Sequence, residues 1–500
     1  MKSILLRILP VLFCILMVRG ANADQPNILF LAVDDLRPEF GAYGADYIKS
    51  PNLDRIAKAG ITFNRAYCQQ AVCSPTRSSL MTGTRPDTTQ VWDLETHFRT
   101  ALPDVVTLGQ HFKDNGYFVQ GMGKIYHGNF NDPPTWSVPW QSPKAQGYGL
   151  PENLALNKSA ISAEPKAGNN KKDGKPKKKP TPKNSRGPAF EGADVPDNTF
   201  QDGKVAELAV ATLKEISKKP GPFFLAVGFA KPHLPFVAPK KYYDLYDPSK
   251  IQLATNKFRP HDAADYAIQP GGELRSYHGI PDGSIPDDLA RQLKHGYYAA
   301  ISYMDAQVGK VLDELERSGL AKNTIVILWG DHGWKLGEHD AWCKHSNCEN
   351  DTNVPLLLSV PGMKNAGART NGIVEFVDIY PTLAELAGLP LPTHLEGTSF
   401  KPLLEQPNQS WKKAAFSQYP RSKGGKQIMG YSMRTDRYRF TAWVDRNDST
   451  QVDSVELYDH QTDPQENQNL AQQPDKKPLV DELTAQWRAG WQRAKPILKP

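Results

Sequence analysis

Two acidic clusters are the first residues in this chain whose type and placement suggest chemistry. Asp34-Asp35 follows directly on the apolar run 27–33, and Asp331-His332 follows the apolar run 324–329 inside Gly330-Asp331-His332-Gly333. Adjacent carboxylates repel one another unless a cation sits between them. Both runs have the length and continuous apolar character of buried central strands. Ligands collect beyond the carboxyl ends of such strands in an open parallel sheet. Two acid clusters at equivalent places, from distant parts of the chain, predict one shared metal site; the alternative is solvated loop acids. The predominance of carboxylate oxygen favours Ca²⁺ or Mg²⁺ over Zn²⁺.

The third cluster is Cys73-Ser74-Pro75-Thr76-Arg77. Its polar turn leads into a helix-like stretch at 77–81, placing Cys73 near a helix N-terminus, where anionic character is favoured. A nucleophile, a buried free thiol and a disulfide partner of Cys68 all remain open for it. The fourth set is Lys124, His127, His233, Lys344 and His345. With a metal and a nucleophile these would line a pocket for a tetrahedral oxyanion. Gly121-x-Gly123 is too short for a dinucleotide loop, and no phosphate-binding Walker pattern occurs.

Cys73 to Arg77 matches C-x-P-x-R, and on these residues the chain resembles the type I sulfatases. It is similar to the iduronate-type members through Gln69-Gln70-Ala71-Val72, Thr82-Gly83-Thr84-Arg85-Pro86-Asp87-Thr88-Thr89, 123–127, 231–236, Asp331-His332-Gly333-Trp334, Gly337-Glu338-His339 and Met429-Gly430-Tyr431-Ser432-Met433-Arg434-Thr435. The likeness leaves out a lysine-rich tract and part of 239–285, a stretch with no readable pattern. It implies an alkaline-phosphatase-like fold and one Ca²⁺ held by Asp34, Asp35, Asp331 and His332 with residue 73. Many sulfatases carry Asn at the His332 position; the iduronate-type members carry His. It also implies that a formylglycine-generating or equivalent maturation enzyme converts Cys73 to formylglycine, whose hydrate attacks a sulfate ester. Arg77 would hold that group and its turn. Lys124, Lys344 and His233 would surround the sulfate with His345 beside them, and His127 would serve as base. The implied substrate is a sulfated saccharide, with the 2-O-sulfate of an iduronate-like uronic acid as the nearest example. Two other functions are a phosphodiesterase or phosphonate hydrolase of the same superfamily and an exported polyanion binder.

The elements that must position these groups alternate strand and helix. Helical patterns cover 52–59, 104–115, 202–219, 286–318 and 376–388, and further strands fall at 222–229 and 355–360. The pattern predicts an α/β fold with a central, mainly parallel sheet flanked by helices. Beyond residue 412 the texture changes to short strands at 428–434, 437–444 and 454–458 and a last helix near 479–494, a smaller α+β domain over 413–500. The catalytic domain is accordingly placed at 24–412.

The chain has 500 residues and a formal net charge of +6. Lys2, Arg7 and Arg19 flank the apolar run 8–18, and Ala21-Asn22-Ala23 completes a secretory signal cleaved near Ala23. The remaining protein is expected in the periplasm or secreted, with no membrane span and no nucleic-acid partner. Residues 164–186, inside an insertion at 158–190, hold nine basic residues against two acidic ones and read as disordered. Three charges leave with the signal and seven belong to the tract, so the remainder is at −4. Cys343 and Cys348 have a spacing compatible with a local disulfide in an oxidising compartment.

Overall fold

The computed structural model describes residues 25–163, 186–269 and 271–497. The expected signal at residues 1–23 and residues 164–185 of the lysine tract lie outside the described residues. Seven strands build the central sheet: Asn27–Val33 (β1), Ile61–Phe63 (β2), Phe118–Gly123 (β3), Phe223–Phe229 (β4), Thr324–Gly330 (β5), Leu356–Ser359 (β6) and Arg369–Thr370 (β7). Their order is β7-β2-β6-β5-β1-β4-β3. Strands β5, β1, β4 and β3 run parallel, and β6 alone is antiparallel to its neighbours.

After Asn27, strand β1 is apolar because both its faces are covered. Leu29, Leu31 and Val33 enter one core, and Ile28, Phe30 and Ala32 enter the other. Helices Pro51–Ala59 (α1), Cys73–Thr82 (α2), Leu108–Asp114 (α3), Gln201–Ile216 (α4), Asp287–Arg317 (α5) and Ile379–Leu386 (α6) form the outer layers. Val205, Ala209 and Leu213 of α4 and the apolar stripe of α5 join the first core; Leu80, Phe112 and Leu383 of α2, α3 and α6 join the second. Each such fully buried large side chain is worth about 1.5–3 kcal/mol. Helix α3 starts at Leu108, later than its sequence pattern suggests, because Thr107 is still extended at ψ 162°.

Strand β3 was not foreseen in the sequence. Its glycines dilute the strand signal, yet the packing requires them. A Cβ on Gly121 would lie 2.5 Å from the Trp136 ring. Gly123 has φ +66°, and its Cβ would lie 2.0 Å from the Gly228 carbonyl oxygen. That close approach delivers Lys124 to the sheet edge where the acids end.

The C-terminal part is a four-stranded antiparallel meander, Ala415–Lys423 (β8), Lys426–Arg434 (β9), Tyr438–Asp445 (β10) and Asp448–Asp459 (β11). Gly424 and Gly425, both at positive φ, make the two-residue turn between β8 and β9. Helix Lys477–Ala489 (α7) closes a small core through Leu483 against Met433, Phe440 and Leu457. The meander also grips the large sheet's loops. Ser417 Oγ donates to the Cys68 carbonyl (2.6 Å), Gln418 N to the Gln69 carbonyl (2.8 Å), and Asn347 Nδ2 to the Gly430 carbonyl (2.9 Å). Among the described residues no helix is long and apolar enough to cross a membrane.

The Gly123→Ala substitution should lower the urea midpoint of unfolding, at a cost of roughly 1–3 kcal/mol. Gly147→Ala, where no atom lies within 4 Å of the new Cβ, should leave the midpoint unchanged. Equal midpoints for the two variants would contradict the close β3–β4 approach.

Candidate active site

The parallel strands end side by side, and their backbone pairing continues into the functional residues. Asp34 N donates to the Phe229 carbonyl (3.2 Å), Asp331 N to the Val33 carbonyl (3.0 Å) and Lys124 N to the Gly228 carbonyl (2.9 Å). Asp35 turns the chain at φ +57°, a conformation uncommon for a non-glycine residue. Two bonds hold it there: its N–H donates to Asp331 Oδ1 (3.0 Å), and its carbonyl accepts from Tyr297 Oη (2.7 Å).

Helix α2 begins at Cys73 itself and sends Arg77 beneath the acids. Arg77 Nε donates to Asp331 Oδ2 (2.9 Å), Nη2 to Asp34 Oδ1 (3.2 Å), and Nη1 to the carbonyls of Ile125 (2.9 Å) and Lys124. The guanidinium is fully buried, 5.3 Å from the centroid of the Trp329 ring. One side chain therefore joins the ends of β1, β5 and β3 to α2.

Above it, Cys73 Sγ lies 3.5 Å from Asp34 Oδ1, 3.3 Å from His332 Nε2 and 3.8 Å from Lys124 Nζ. His332 Nε2 is 3.4 Å from Asp35 Oδ1 and 3.5 Å from Asp331 Oδ2. Asp34, Asp35, Cys73 and His332 each offer a ligand atom, all within 4.8 Å of one another, and all four are buried. Two buried carboxylates and an imidazole fit a hard divalent ion; Asp331 lies outside this group, its oxygens taken by the N–H groups of Asp35 and His332 and by Arg77 Nε. Burial works to raise Asp34, but Lys124, His233 and Arg77 outweigh it and hold its carboxyl well below the usual range. Burial pushes Asp35 up, against the pull of Lys344.

The thiol of Cys73 departs from the sequence expectation of anionic character. Burial, then the Asp34 charge, push it well above the ordinary thiol range, and these outweigh the nearby lysines. An unmodified Cys73 stays protonated here and is a poor nucleophile.

Lys124 pairs with Asp34, whose charge keeps it protonated against the cost of burial. Lys344 Nζ reaches both oxygens of Asp35 (3.0 and 3.1 Å) and lies 4.9 Å from the Trp334 ring centroid. His233 Nδ1 donates to the Leu234 carbonyl (2.6 Å), which can only accept, so Nδ1 carries a proton and Nε2 faces the site. His127 is half-buried, its Nδ1 has no hydrogen-bond partner, and burial and Lys124 bring its pKa down to about 4. The His345 ring stands against Tyr419 of β8, centroids 5.9 Å apart, and burial and Lys344 bring it to about 3. It enters the site as a neutral ring, not as a further cation.

One residue escaped the sequence reading. Glu273 Oε1 accepts from His233 Nε2 (3.0 Å) and Oε2 from Lys344 Nζ (2.8 Å). Burial would raise its pKa, but Lys344 and His233 hold it well below the carboxylate range. It comes from the patternless stretch 239–285, where a lone acid in Gly-Gly-Glu-Leu gave no signal. The disulfide expectation also fails. Cys68, Cys73, Cys343 and Cys348 are all free and buried, and Cys343 Sγ turns to the Gln269 carbonyl (3.4 Å).

Comparison with known proteins bears on this geometry. The family profile described as Sulfatase matches residues 26–389, and that described as N-sulphoglucosamine sulphohydrolase, C-terminal, matches 337–492. The chain is 35% identical to iduronate 2-sulfatase of Mus musculus, over 92% of this chain and 94% of that protein. Among solved structures, one described as a 2-O GAG sulfatase superposes with a TM-score of 0.69 at 22% identity, covering 93% of this chain and 91% of the other. The phosphonate monoester hydrolase of Silicibacter pomeroyi superposes at 0.72 and 20% identity, covering 94% and 96%. At those identities the two structures establish the alkaline-phosphatase-like fold. The sequence match, running through the acid-tipped strands and helix α2 alike, establishes that the chain belongs to the sulfatase family.

Proposed function

We propose that this sulfatase hydrolyses a sulfate ester on a sulfated saccharide, with the 2-O-sulfate of a uronic acid as the substrate class, using a formylglycine made from Cys73 and one Ca²⁺. The observation that carries this reading is the seat of Cys73: a buried side chain at the head of α2, with metal-fitting acids on one side and Lys124 on the other. The similarity to a protein named iduronate 2-sulfatase and to a structure titled a 2-O GAG sulfatase supports the substrate class. On this reading the maturation enzyme is a required partner and the protein is exported after cleavage near Ala23. The catalytic unit spans 24–412, and 413–500 is the smaller domain.

Asp34, Asp35, Asp331 and His332 would hold the ion beside residue 73. A hydrated aldehyde at residue 73 would supply the attacking oxygen, and a bound ion would supply the charge that eases loss of its proton. The chain's own side chains do the rest. Lys124 Nζ and Lys344 Nζ bind sulfate oxygens and offset the negative charge that grows there. His233 Nε2 hands a proton to the sugar oxygen as the S–O bond breaks. His127, neutral above about pH 4, is free to accept a proton on release of sulfate. Arg77 keeps Asp34 and Asp331 in register while these transfers occur. His345 adds a neutral polar rim beside Lys344.

The competing superfamily activity is separable. Turnover of an aryl sulfate should exceed that of an aryl phosphodiester by orders of magnitude, and a clear phosphodiester preference would overturn the assignment. His127 gives a second check. Because its pKa is held near 4, the base is available above that value and lost as pH falls through it. The His127→Gln variant should lose about 10²–10⁴ in kcat, and the acid limb near pH 4 should vanish from its profile. A variant that keeps wild-type kcat and its acid limb would remove His127 from the reaction.

A further inference from the structure

We propose that Glu273 is a positioning residue of the site: it shares Lys344 with Asp35 and holds His233 off the carboxylates of Asp34 and Asp35, keeping both side chains toward the substrate. The proposal rests on the role given above to those two side chains. Asp35 already takes Lys344 Nζ at 3.0 and 3.1 Å, and His233 Nε2 stands 4.0 Å from both Asp34 Oδ2 and Asp35 Oδ2. A shift of about 1 Å would turn those longer contacts into ordinary hydrogen bonds. A His233 ring that made the shift would occupy oxygens that fit the metal and would leave the sulfate. Glu273 prevents this by taking His233 Nε2 on one oxygen at 3.0 Å, while its other oxygen, 2.8 Å from Lys344 Nζ, draws that group away from sole pairing with Asp35. With Nδ1 fixed on the Leu234 carbonyl, the His233 ring is then held at both nitrogens.

The segment carrying Glu273 is built into the loop it serves. Leu274 is buried in the main core. Gly271, at φ +80°, lies so near the Trp342 backbone that a Cβ would come 2.8 Å from its carbonyl oxygen. The Gln269 carbonyl takes the Cys343 thiol, and Arg275 binds the carbonyls of Pro281 and Gly283. Gln269 and Gly271 thus pack against residues 342 and 343, and the Glu273 side chain is only 15% exposed. Through this residue the stretch without a sequence pattern acts on the reacting groups.

The test uses the full chain with Glu273→Gln and Glu273→Asp, read by steady-state turnover of 4-nitrophenyl sulfate, by calorimetric Ca²⁺ titration and by thermal unfolding. Glu273→Gln should lose roughly 10–100-fold in kcat and a comparable factor in Ca²⁺ affinity, with KM and unfolding temperature little changed. Glu273→Asp, which keeps the charge on a shorter arm, should recover part of both losses. A Gln variant with wild-type kcat and Ca²⁺ affinity overturns the proposal, as does an Asp variant no better than Gln. If Glu273→Gln does not fold, Glu273→Asp decides, and wild-type values in it are contrary. A wild type that turns over no aryl sulfate sinks the sulfatase roles of Lys344 and His233, while the Ca²⁺ titration still decides for or against Glu273.

Discussion

Arg77 is the interaction on which the active site depends. Three carboxylates from two strand ends are packed out of water within a few ångströms, an arrangement that their mutual repulsion and desolvation oppose. The guanidinium answers both costs. Its planar fork meets Asp331 and Asp34 and spends its remaining donors on the carbonyls of residues 124 and 125. Lysine could not replace it, since a single ammonium lacks the fork that reaches three chain segments at once. Removing one partner of such a buried pair typically costs about 3–5 kcal/mol. Here the loss would also release Lys124 and Cys73, whose positions follow from the same tie.

Around that tie the charges fall into two layers. Asp34, Asp35 and His332 gather their ligand atoms beside Cys73, and on the proposed chemistry Lys124, Lys344 and His233 would face the anion. Each layer is held by contacts with the other, so residue 73 sits where opposite fields meet. On the proposed function, attraction for a sulfated substrate would come from these few groups, because the chain apart from residues 1–23 and the lysine tract carries −4. The C-terminal meander belongs to the same design. Its bonds to residues 68, 69 and 347 brace the approaches to Cys73 and Lys344, so the smaller part of the chain stabilises the site without supplying its reacting groups.

What was legible in the sequence follows from physics. Strands β1 and β5 are apolar on both faces, so the acids at their ends stand out, and the alternation of strand and helix carries the layering. Strand β3 was hidden because close packing against Trp136 and Gly228 selects the glycines that erase a strand signal. The protonated state of Cys73 was hidden because a helix N-terminus is visible in sequence whereas burial beside Asp34 is not. Glu273 was hidden because its meaning lies in two partners, 40 and 71 residues away along the chain, and in no local pattern. The spacing of Cys343 and Cys348 suggested a bridge, but the loop spends one thiol on a backbone carbonyl instead.

Burial and the neighbouring Asp34 keep the Cys73 thiol protonated, which is consistent with the proposed conversion of this side chain. The most direct measurement is the mass of the proteolytic peptide containing residue 73, taken from catalytically active protein of the natural source. The expected result is the mass of the aldehyde in place of the CH₂SH side chain, in proportion to specific activity. Fully active protein carrying an unmodified thiol at residue 73 would contradict the proposed chemistry.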